Sequence, residues 1–297
     1  MVHALNECLM IDIEQLRYVR LGTRDLPAAI DFATRVLGLQ LIEKTDDTAR
    51  FRSDFRDHTL VYVTGDPSNQ TVAFEVRTPQ ALDDAEAALT KAGYRVTRGD
   101  ADAAAARKVR QFISFRDKSG HQIELVVRPL NSGWRYFPSR DAGVTGLEAV
   151  ALRGPAATAD EALWTTLFNG RVSDWAGDTA YLRFDSAHHR LALHPSKKSG
   201  VLAVEYAVES VNQLMQAHYF LQQAQVRIVH GPGRRPTSGQ MFITFAGPDG
   251  VLFSYVAEGT PVDEATHRAR QFPFQPLSFC SWGSVSEIPE FAAGVDA

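Results

Sequence analysis

The chain has 297 residues, of which 44% are hydrophobic and 22% charged, and its formal net charge at pH 7 is -4. This composition is that of an ordinary globular protein with enough apolar side chains for two cores. The weak negative charge gives no reason to expect a nucleic acid or an anionic membrane as partner, and no run of 18 apolar residues predicts a membrane span. Cys8 and Cys280 have no metal-like spacing, and residues 1–10 lack a basic stretch before an apolar run. We therefore expect a cytoplasmic protein without a secretion signal.

The first half of the chain opens with a predicted strand over residues 13–21. A helix is predicted next, because Asp25 can cap it, Pro27 suits its first turn and Gly38 can end it. Alternating apolar residues and turn residues then predict one further helix over 81–92 and strands over 49–53, 58–64, 71–77, 94–97, 109–116 and 121–128.

The second half repeats this pattern. Helices are predicted near 159–168 and 211–224, and strands over 147–153, 180–184, 188–194, 201–208, 226–229, 240–246 and 251–256.

Short segments of the first half recur in the second half at nearly one offset. Residues 111–115 (QFISF) recur as 241–245 (MFITF), and residues 58–62 (HTLVY) recur as 189–193 (HRLAL). Two further pairs occur in the same order, so we infer a tandem duplication of a module of about 120 residues. Each module is predicted to consist of two units of one strand, one helix and three strands. The predicted boundaries are 12–140, 143–258 and a C-terminal tail at 259–297.

The motifs in these modules are similar to those of the vicinal oxygen chelate superfamily. They include RDLP at 24–27, SGHQIEL at 119–125 and the pair His188-His189. The chain resembles above all the two-domain type I extradiol dioxygenases, over roughly residues 13–258. The resemblance implies an α+β fold of two modules, each a barrel-like curved sheet around a cavity, with the chemistry in the second module.

In that family, two histidines and a glutamate hold an iron ion, and the resemblance assigns each ligand position to a residue here. The positions correspond to Ala149, Ala203 and Ser254. Two methyl groups and a neutral hydroxyl cannot hold a divalent metal with useful affinity. The sequence therefore predicts no family-like iron site and no cofactor.

Alternative metal ligands can be sought in both modules. In the first module the corresponding positions are Tyr18, Thr71 and Glu124. In the second, Glu205 lies two residues from Ala203 and so on the same strand face, and with His189 it supplies two candidate ligands. A third ligand is not obvious, so a relocated metal stays open as the less favoured hypothesis.

Two acid/base candidates remain in the second module. The resemblance gives His189 the role of a non-ligand histidine that exchanges a proton with the substrate hydroxyl. The alternative is a structural histidine, because His58 occupies the same place in the first module. Glu205, in an apolar strand, is either a base with a raised pKa or a residue ion-paired with Arg153 or Arg190.

Further candidate substrate-binding residues follow from the same resemblance. Gln240 and Ser254 can orient a polar ligand, and Phe245 stands where a tyrosine is common in the family. Arg234 and Arg235 stand where a family histidine is replaced. They either bind a carboxylate or phenolate of the ligand or form a solvated basic patch.

The tail is rich in aromatic residues with few charges between them. Such a segment packs across a domain face or a partner subunit, so we expect it to roof the second cavity and we expect a homo-oligomer. The aromatic side chains are Phe272, Phe274, Phe279, Trp282 and Phe291.

Three functional hypotheses follow. The leading one is a metal-independent acid/base enzyme that acts on a phenolic or enolic, aromatic-derived small molecule. The second is a non-catalytic small-molecule binding or sequestering protein. The third is an iron(II) extradiol dioxygenase whose ligands have moved.

Overall fold

A computed structural model describes residues 10–292 of the chain. Residues 1–9 and 293–297 lie outside the described part, and with them the prediction for the N-terminal residues and Cys8. Among residues 10–292, no helix is long and apolar enough to cross a membrane.

The first module is an eight-stranded sheet with three short helices. Its strands are β1 (Ile13–Thr23), β2 (Gln40–Lys44), β3 (Thr48–Arg52), β4 (Leu60–Thr64), β5 (Gln70–Val76), β6 (Thr97–Arg98), β7 (Gln111–Arg116) and β8 (Gln122–Val127). Its helices are α1 (Leu26–Asp31), α2 (Pro79–Lys91) and α3 (Ala101–Ala106). The strand order is β2-β3-β4-β1-β5-β8-β7-β6, so β1, β5 and β8 are central neighbours.

The second module repeats this topology. Its strands are β9 (Val144–Gly154), β10 (Arg171–Ala176), β11 (Thr179–Arg183), β12 (Leu191–Pro195), β13 (Gly200–Val208), β14 (Ile228–Arg234), β15 (Met241–Ala246) and β16 (Leu252–Ala257). Its helices are α4 (Ala157–Thr166) and α5 (Val211–Gln223). The order β14-β15-β16-β13-β9-β12-β11-β10-β17 places β9, β13 and β16 together at the centre.

The predicted α+β fold of two duplicated modules is confirmed. Both sheets are curved but open, with strands at each edge, so neither closes into a barrel. Each module has the eight strands that two four-stranded units require, of which seven were located in the sequence. The missed strands are β2 and β10, which lie at or next to a sheet edge, where one face is half exposed and the apolar alternation is weak.

The first helix begins as its sequence predicts. The Asp25 carboxylate accepts a hydrogen bond from the Ala28 backbone N–H, and Pro27 lies in the first turn. The α-helix ends earlier than predicted, at Asp31. A π-helical turn, Phe32–Val36, continues it to Leu37.

The two modules share one hydrophobic core, and each sends aromatic side chains into the other. Phe32 of the first module contacts Phe253 of the second, with ring centroids 5.1 Å apart. In the reverse direction, Trp164 of α4 contacts Phe74 of β5 at 4.9 Å. This reciprocal packing makes the relative position of the modules part of the folded core.

The tail crosses the second module. Strand β17 (Arg270–Phe272) pairs in parallel with β10 and extends the sheet to nine strands. Helix α6 (Pro276–Phe279) and a 3₁₀ turn, Pro289–Phe291, follow. Phe279 and Phe291 stack on each other, 4.4 Å apart, in a cluster with Ala151 and Ala203 of the central strands.

Trp164→Ala should destabilise both modules together. The Trp164 side chain is fully buried, and its loss leaves a cavity that costs about 3–5 kcal/mol. Urea unfolding followed by circular dichroism measures this as a single transition at lower urea concentration. Trp134→Ala is the matched control, since Trp134 is 82% exposed and its loss should change the free energy of unfolding by less than about 0.5 kcal/mol. Two separate transitions in the Trp164 variant would contradict a shared core.

Candidate functional site

A cavity lies on the concave face of the second sheet. Its polar lining is Tyr181, His189, His194, Glu205, His230, Arg235, Thr244 and Ser254. Its apolar lining is Ala151, Ala192, Leu202, Ala203, Phe242, Phe279, Ile288 and Phe291. The open volume is about 30 Å³, which is room for one or two water molecules. Three tail residues close it, which confirms the predicted roof.

The register of the central strands identifies which side chains meet in the cavity. Glu205 of β13 pairs with Ala149 of β9 on one side and with Ser254 of β16 on the other, and Ser254 pairs with Thr244 of β15. Side chains directly opposite on neighbouring strands share one face of a sheet. We name these four residues the ligand row.

The strand pairing places Ala203 in a different row from Ala149 and Ser254. Ala203 pairs with Ala151 and Leu252, one row further along the sheet, whereas Glu205 lies between Ala149 and Ser254. The assignment of Ala203 to a ligand position stays a prediction, and the register makes Glu205 the alternative residue for that position. The ligand row thus contains one carboxylate.

Glu205 is bound by Arg235, the residue that follows β14. The Arg235 guanidinium donates through Nη2 to Glu205 Oε1 at 2.5 Å and through Nη1 to Glu205 Oε2 at 2.9 Å. Nη1 also donates to Gln240 Oε1 at 3.1 Å. Glu205 is buried and the Arg235 side chain is only 13% exposed, so this is a bidentate, charge-assisted pair inside the module.

This pair corrects two expectations for Glu205. Its ion-pair partner is Arg235, and neither Arg153 nor Arg190, which bind Glu290 and Glu148 instead. Burial acts to raise the pKa of Glu205, but the charge and hydrogen bonds of Arg235 hold it far below the ordinary value. Glu205 is therefore a carboxylate at any physiological pH and a weak base.

His189 faces the cavity and is 1% exposed. Its Nε2 lies 3.7 Å from Glu205 Oε2, and its Nδ1 lies 3.2 Å from His188 Nδ1. Burial lowers the pKa of His189 to about 4, against the opposing effect of Glu205, so the imidazole is neutral at pH 7.

A hydrogen-bonded chain leads from His189 to the surface. His188 Nε2 lies 3.0 Å from Asp174 Oδ2, and Asp174 accepts a hydrogen bond from the half-exposed Arg270 of β17 at 2.5 Å. The tail strand therefore orients the imidazole next to His189 through Asp174.

Two further histidines in the cavity were missed from the sequence. His194 lies on β12 and His230 on β14, and burial lowers their pKa values to about 3 and about 4, with the positive charge of Arg235 adding to the effect. His194 shares a strand face with Ala192, so alternation along β12 was the signal that could have identified it. His230 lies among bulges in β14, where parity gives no guidance.

The remaining predicted residues divide between the cavity and its surroundings. Ser254 lines the cavity and forms a hydrogen bond of 2.8 Å with Thr244. Gln240 accepts a hydrogen bond from Arg235. Arg234 points to the surface, where it pairs with Glu258. Phe245 lies on the opposite face of the sheet, packed in the shared core.

Phe245 is therefore corrected from a substrate-binding residue to a core residue, since its neighbour Thr244 takes the cavity side. Ser254 faces the cavity and pairs with Thr244 on β15. Alternation along β15 therefore places the next residue, Phe245, on the opposite face of the sheet.

The side chains that could bind a metal in the second cavity do not fit the iron site of the family. Both oxygens of Glu205 bind Arg235, and His189 is the nearest other donor. Among residues 10–292, the group of three candidate ligand atoms within reach of one another is Asp117, His121 and Asp160, away from this cavity. There, His121 is held by Asp117 and the Arg153 carbonyl.

The three histidines of the cavity, His189, His194 and His230, should make the protein sensitive to acid. Their pKa values lie below the unfolded value near 6.5, so the unfolded chain binds more protons as the pH falls from about 6.5 to 4. Stability that is full above pH 6.5 should decrease across this range by an amount on the order of several kcal/mol. Urea unfolding at a series of pH values measures it, and His194→Gln should flatten the slope. Equal stability at pH 6.5 and 4.5 would contradict neutral histidines.

Sequence comparisons with known proteins identify the family of both modules. Residues 15–125 and 149–255 each match the profile of the glyoxalase/bleomycin resistance protein/dioxygenase superfamily. A biphenyl-2,3-diol 1,2-dioxygenase from Pseudomonas sp. strain KKS102 is 30% identical over 120 residues, which is 40% of this chain and 41% of that enzyme. An iron-dependent extradiol dioxygenase from Rhodococcus jostii strain RHA1 is 24% identical over 88% of this chain and 94% of that protein.

Solved structures show the same fold. A halotolerant catechol dioxygenase superposes with a TM-score of 0.85 at 20% identity, covering 95% of this chain and 97% of that one. The Mn(II)-bound glyoxalase from Novosphingobium aromaticivorans superposes with a TM-score of 0.84 at 24% identity, covering 96% of each chain. At these identities the superpositions show the fold alone. With both modules matched by the family profile, the chain belongs to the glyoxalase/bleomycin resistance protein/dioxygenase superfamily.

Proposed function

We propose that the second module is a metal-independent acid/base site for a phenolic or enolic small molecule derived from an aromatic compound. The observation that supports this proposal is the Arg235–Glu205 pair in the ligand row. A permanent cation binds the carboxylate of the row to which the family resemblance assigns the metal ligands.

Arg235 supplies the positive charge that such chemistry needs. A phenolate or enolate is stabilised by a guanidinium in a buried site, where water does not screen the charge. Glu205 and Gln240 hold the guanidinium in one orientation from its Nη atoms. The hydroxyls of Ser254, Thr244 and Tyr181 line the same cavity and offer hydrogen bonds to a second ligand oxygen.

His189 supplies the proton acceptor. In the proposed step the neutral imidazole takes the hydroxyl proton of the ligand at Nε2, the resulting oxyanion lies against Arg235, and the proton returns to the ligand at another atom. No electrons leave or enter the protein. Glu205, 3.7 Å from Nε2, stabilises the imidazolium while it carries the proton.

Ligand entry requires a movement of the tail. An open volume of about 30 Å³ does not hold an aromatic ring, and Phe279, Ile288 and Phe291 close the cavity. These residues belong to a small apolar cluster separate from the shared core. Their displacement would open the cavity without unfolding the module.

An iron-dependent ring-cleaving dioxygenase is the second candidate. The names of the relatives, a biphenyl-2,3-diol 1,2-dioxygenase and an iron-dependent extradiol dioxygenase, favour it. It requires Glu205 to release Arg235 and to join His189 and a third donor. The small, closed cavity favours the remaining candidate, a binding or sequestering protein without turnover.

The partners and location follow the same reasoning. We expect a small aromatic or enolic ligand, a cytoplasmic protein and a homo-oligomer. Sedimentation velocity of the purified protein would establish the oligomeric state.

The purified protein should contain no stoichiometric iron or manganese, even after incubation with ferrous iron under reducing conditions. Arg235 occupies both oxygens of Glu205, and the ligand row has no other strong donor. Elemental analysis after dialysis measures this. About one iron per chain, together with ring cleavage of catechol or 2,3-dihydroxybiphenyl, would overturn the proposal in favour of the dioxygenase.

Arg235→Gln should abolish the stabilisation of a bound phenolate. With 4-nitrophenol as probe, the wild-type protein should increase the coloured, ionised fraction at pH 6, which visible absorbance measures. Arg234→Gln is the matched control, because Arg234 lies at the surface with Glu258 and should leave the colour unchanged.

Removing Arg235 alone also leaves Glu205 as an unpaired buried charge, which costs about 3–5 kcal/mol. The double variant Glu205→Gln, Arg235→Gln removes both charges and keeps the test valid if the single variant unfolds. The same increase in ionised probe with this double variant as with wild type would end the role assigned to Arg235.

A further inference from the structure

The first module has a polar cavity of its own, of about 270 Å³. It lies at the ends of the central strands and is lined by, among others, Arg20, Asp66, Thr71, Arg107, Arg116 and Gln122. None of these residues takes part in the site of the second module.

Four of the polar residues form one row across the sheet. Arg20 of β1 pairs with Thr71 of β5, Thr71 pairs with Gln122 of β8, and Gln122 pairs with Arg116 of β7. Because directly paired residues share a sheet face, all four side chains emerge on the cavity side. We name these residues the arginine row.

The duplication supplies an internal comparison. The row at the same place in the second module is Ala151, Ala203, Leu252 and Ala246, all of them apolar. The two modules therefore share the geometry of this row but have opposite polarity. A polar row is not a requirement of the fold, so its presence in the first module needs another explanation.

Arg20 carries a charge that no carboxylate of the described residues contacts directly, although the charge of Glu124 acts to raise its pKa. Among the described residues it has no hydrogen-bond or ion-pair partner, and its Nη1 atom is buried. A buried guanidinium nitrogen without a partner costs free energy unless a ligand or water satisfies it. Burial lowers the pKa of Arg20, and the charge of Arg107 acts in the same direction.

The carboxylates near this cavity are engaged elsewhere. Glu124 binds Arg107 at 2.7 Å and accepts a hydrogen bond of 2.7 Å from the Tyr18 hydroxyl. Asp66 is at the mouth, where its carboxylate accepts a hydrogen bond from the Ser68 N–H. Within residues 10–292, Arg116 donates only to the Gly120 carbonyl, so both arginines of the row retain free donors.

We propose that the arginine row and its cavity form an oxyanion site that binds the carboxylate or phosphate group of a small molecule. Arg20 and Arg116 supply forked donors for two oxygens, and Thr71 and Gln122 lie between them with a hydroxyl and an amide. The volume accommodates a small molecule rather than a single ion. The site is in the first module and does not depend on the function proposed for the second.

Isothermal titration calorimetry at constant ionic strength, set with sodium chloride, tests the site. Inorganic phosphate and benzoate are titrated separately into the wild-type protein, and we expect saturable binding of at least one of them at one site per chain. Saturation by phosphate alone identifies a phosphate group as the ligand chemistry, and saturation by benzoate identifies a carboxylate.

Arg20→Gln should weaken that binding at least tenfold, and Arg116→Gln should weaken it as well. Arg116 is exposed at the end of β7, so its variant keeps the test valid if the Arg20 variant does not fold. Arg77→Gln is the matched control, because Arg77 is a 78% exposed arginine just beyond the far end of β5 and should leave binding unchanged.

Two outcomes would overturn the proposal. One is the absence of saturable binding of both phosphate and benzoate by the wild-type protein. The other is binding that Arg20→Gln and Arg116→Gln leave as tight as in the Arg77→Gln control. Neither outcome bears on the metal content or the phenolate test of the second module.

Discussion

The buried pair of Glu205 and Arg235 is the interaction on which the second module's cavity depends. Removing two charges from water costs several kcal/mol per ion, and only close, bidentate geometry offsets that cost. The protein provides it with two direct hydrogen bonds and with Gln240 as a third partner. Burial lowers the pKa values of the nearby His194 and His230, and the charge of Arg235 acts in the same direction, so both imidazoles are neutral at pH 7.

Both modules have a carboxylate bound by an arginine near the centre of the sheet, but the two carboxylates lie on strands that do not correspond. In the first module the carboxylate is Glu124, which pairs in register with Ala73, and Arg107 binds it. In the second module the carboxylate is Glu205 on β13, the strand that corresponds to β5 of the first module. Each module thus has an ion pair near the centre of its sheet, and the modules differ in the next row. That row is polar around Arg20 and apolar around Ala203.

The tail joins this arrangement to the rest of the second module. Strand β17 adds to the sheet edge, and its Arg270 binds Asp174, which in turn holds His188 beside His189. Further along, Phe279 and Phe291 cover the cavity. A displacement of the tail would therefore change both the access to the cavity and the position of the imidazoles.

The sequence by itself determined the duplication, the order of most elements and the family. Recurrent segments and period-two or helical patterns are local properties, so they can be read along the chain. Strands at or next to a sheet edge, such as β2 and β10, have one half-exposed face, and their pattern was too weak to recognise. Strand alternation was also sufficient to predict that His189, Glu205 and Ser254 face one cavity, because alternate residues of a strand share a face.

Only the tertiary structure decided how those residues pair. Register across neighbouring strands placed Glu205, and not Ala203, opposite Ala149 and Ser254, because loop lengths between strands do not follow from spacing. The partner of Glu205 is 30 residues away in a turn after a bulged strand, where no periodicity applies. The pKa of a buried carboxylate depends on whether such a partner reaches it, and that is a property of three-dimensional contacts.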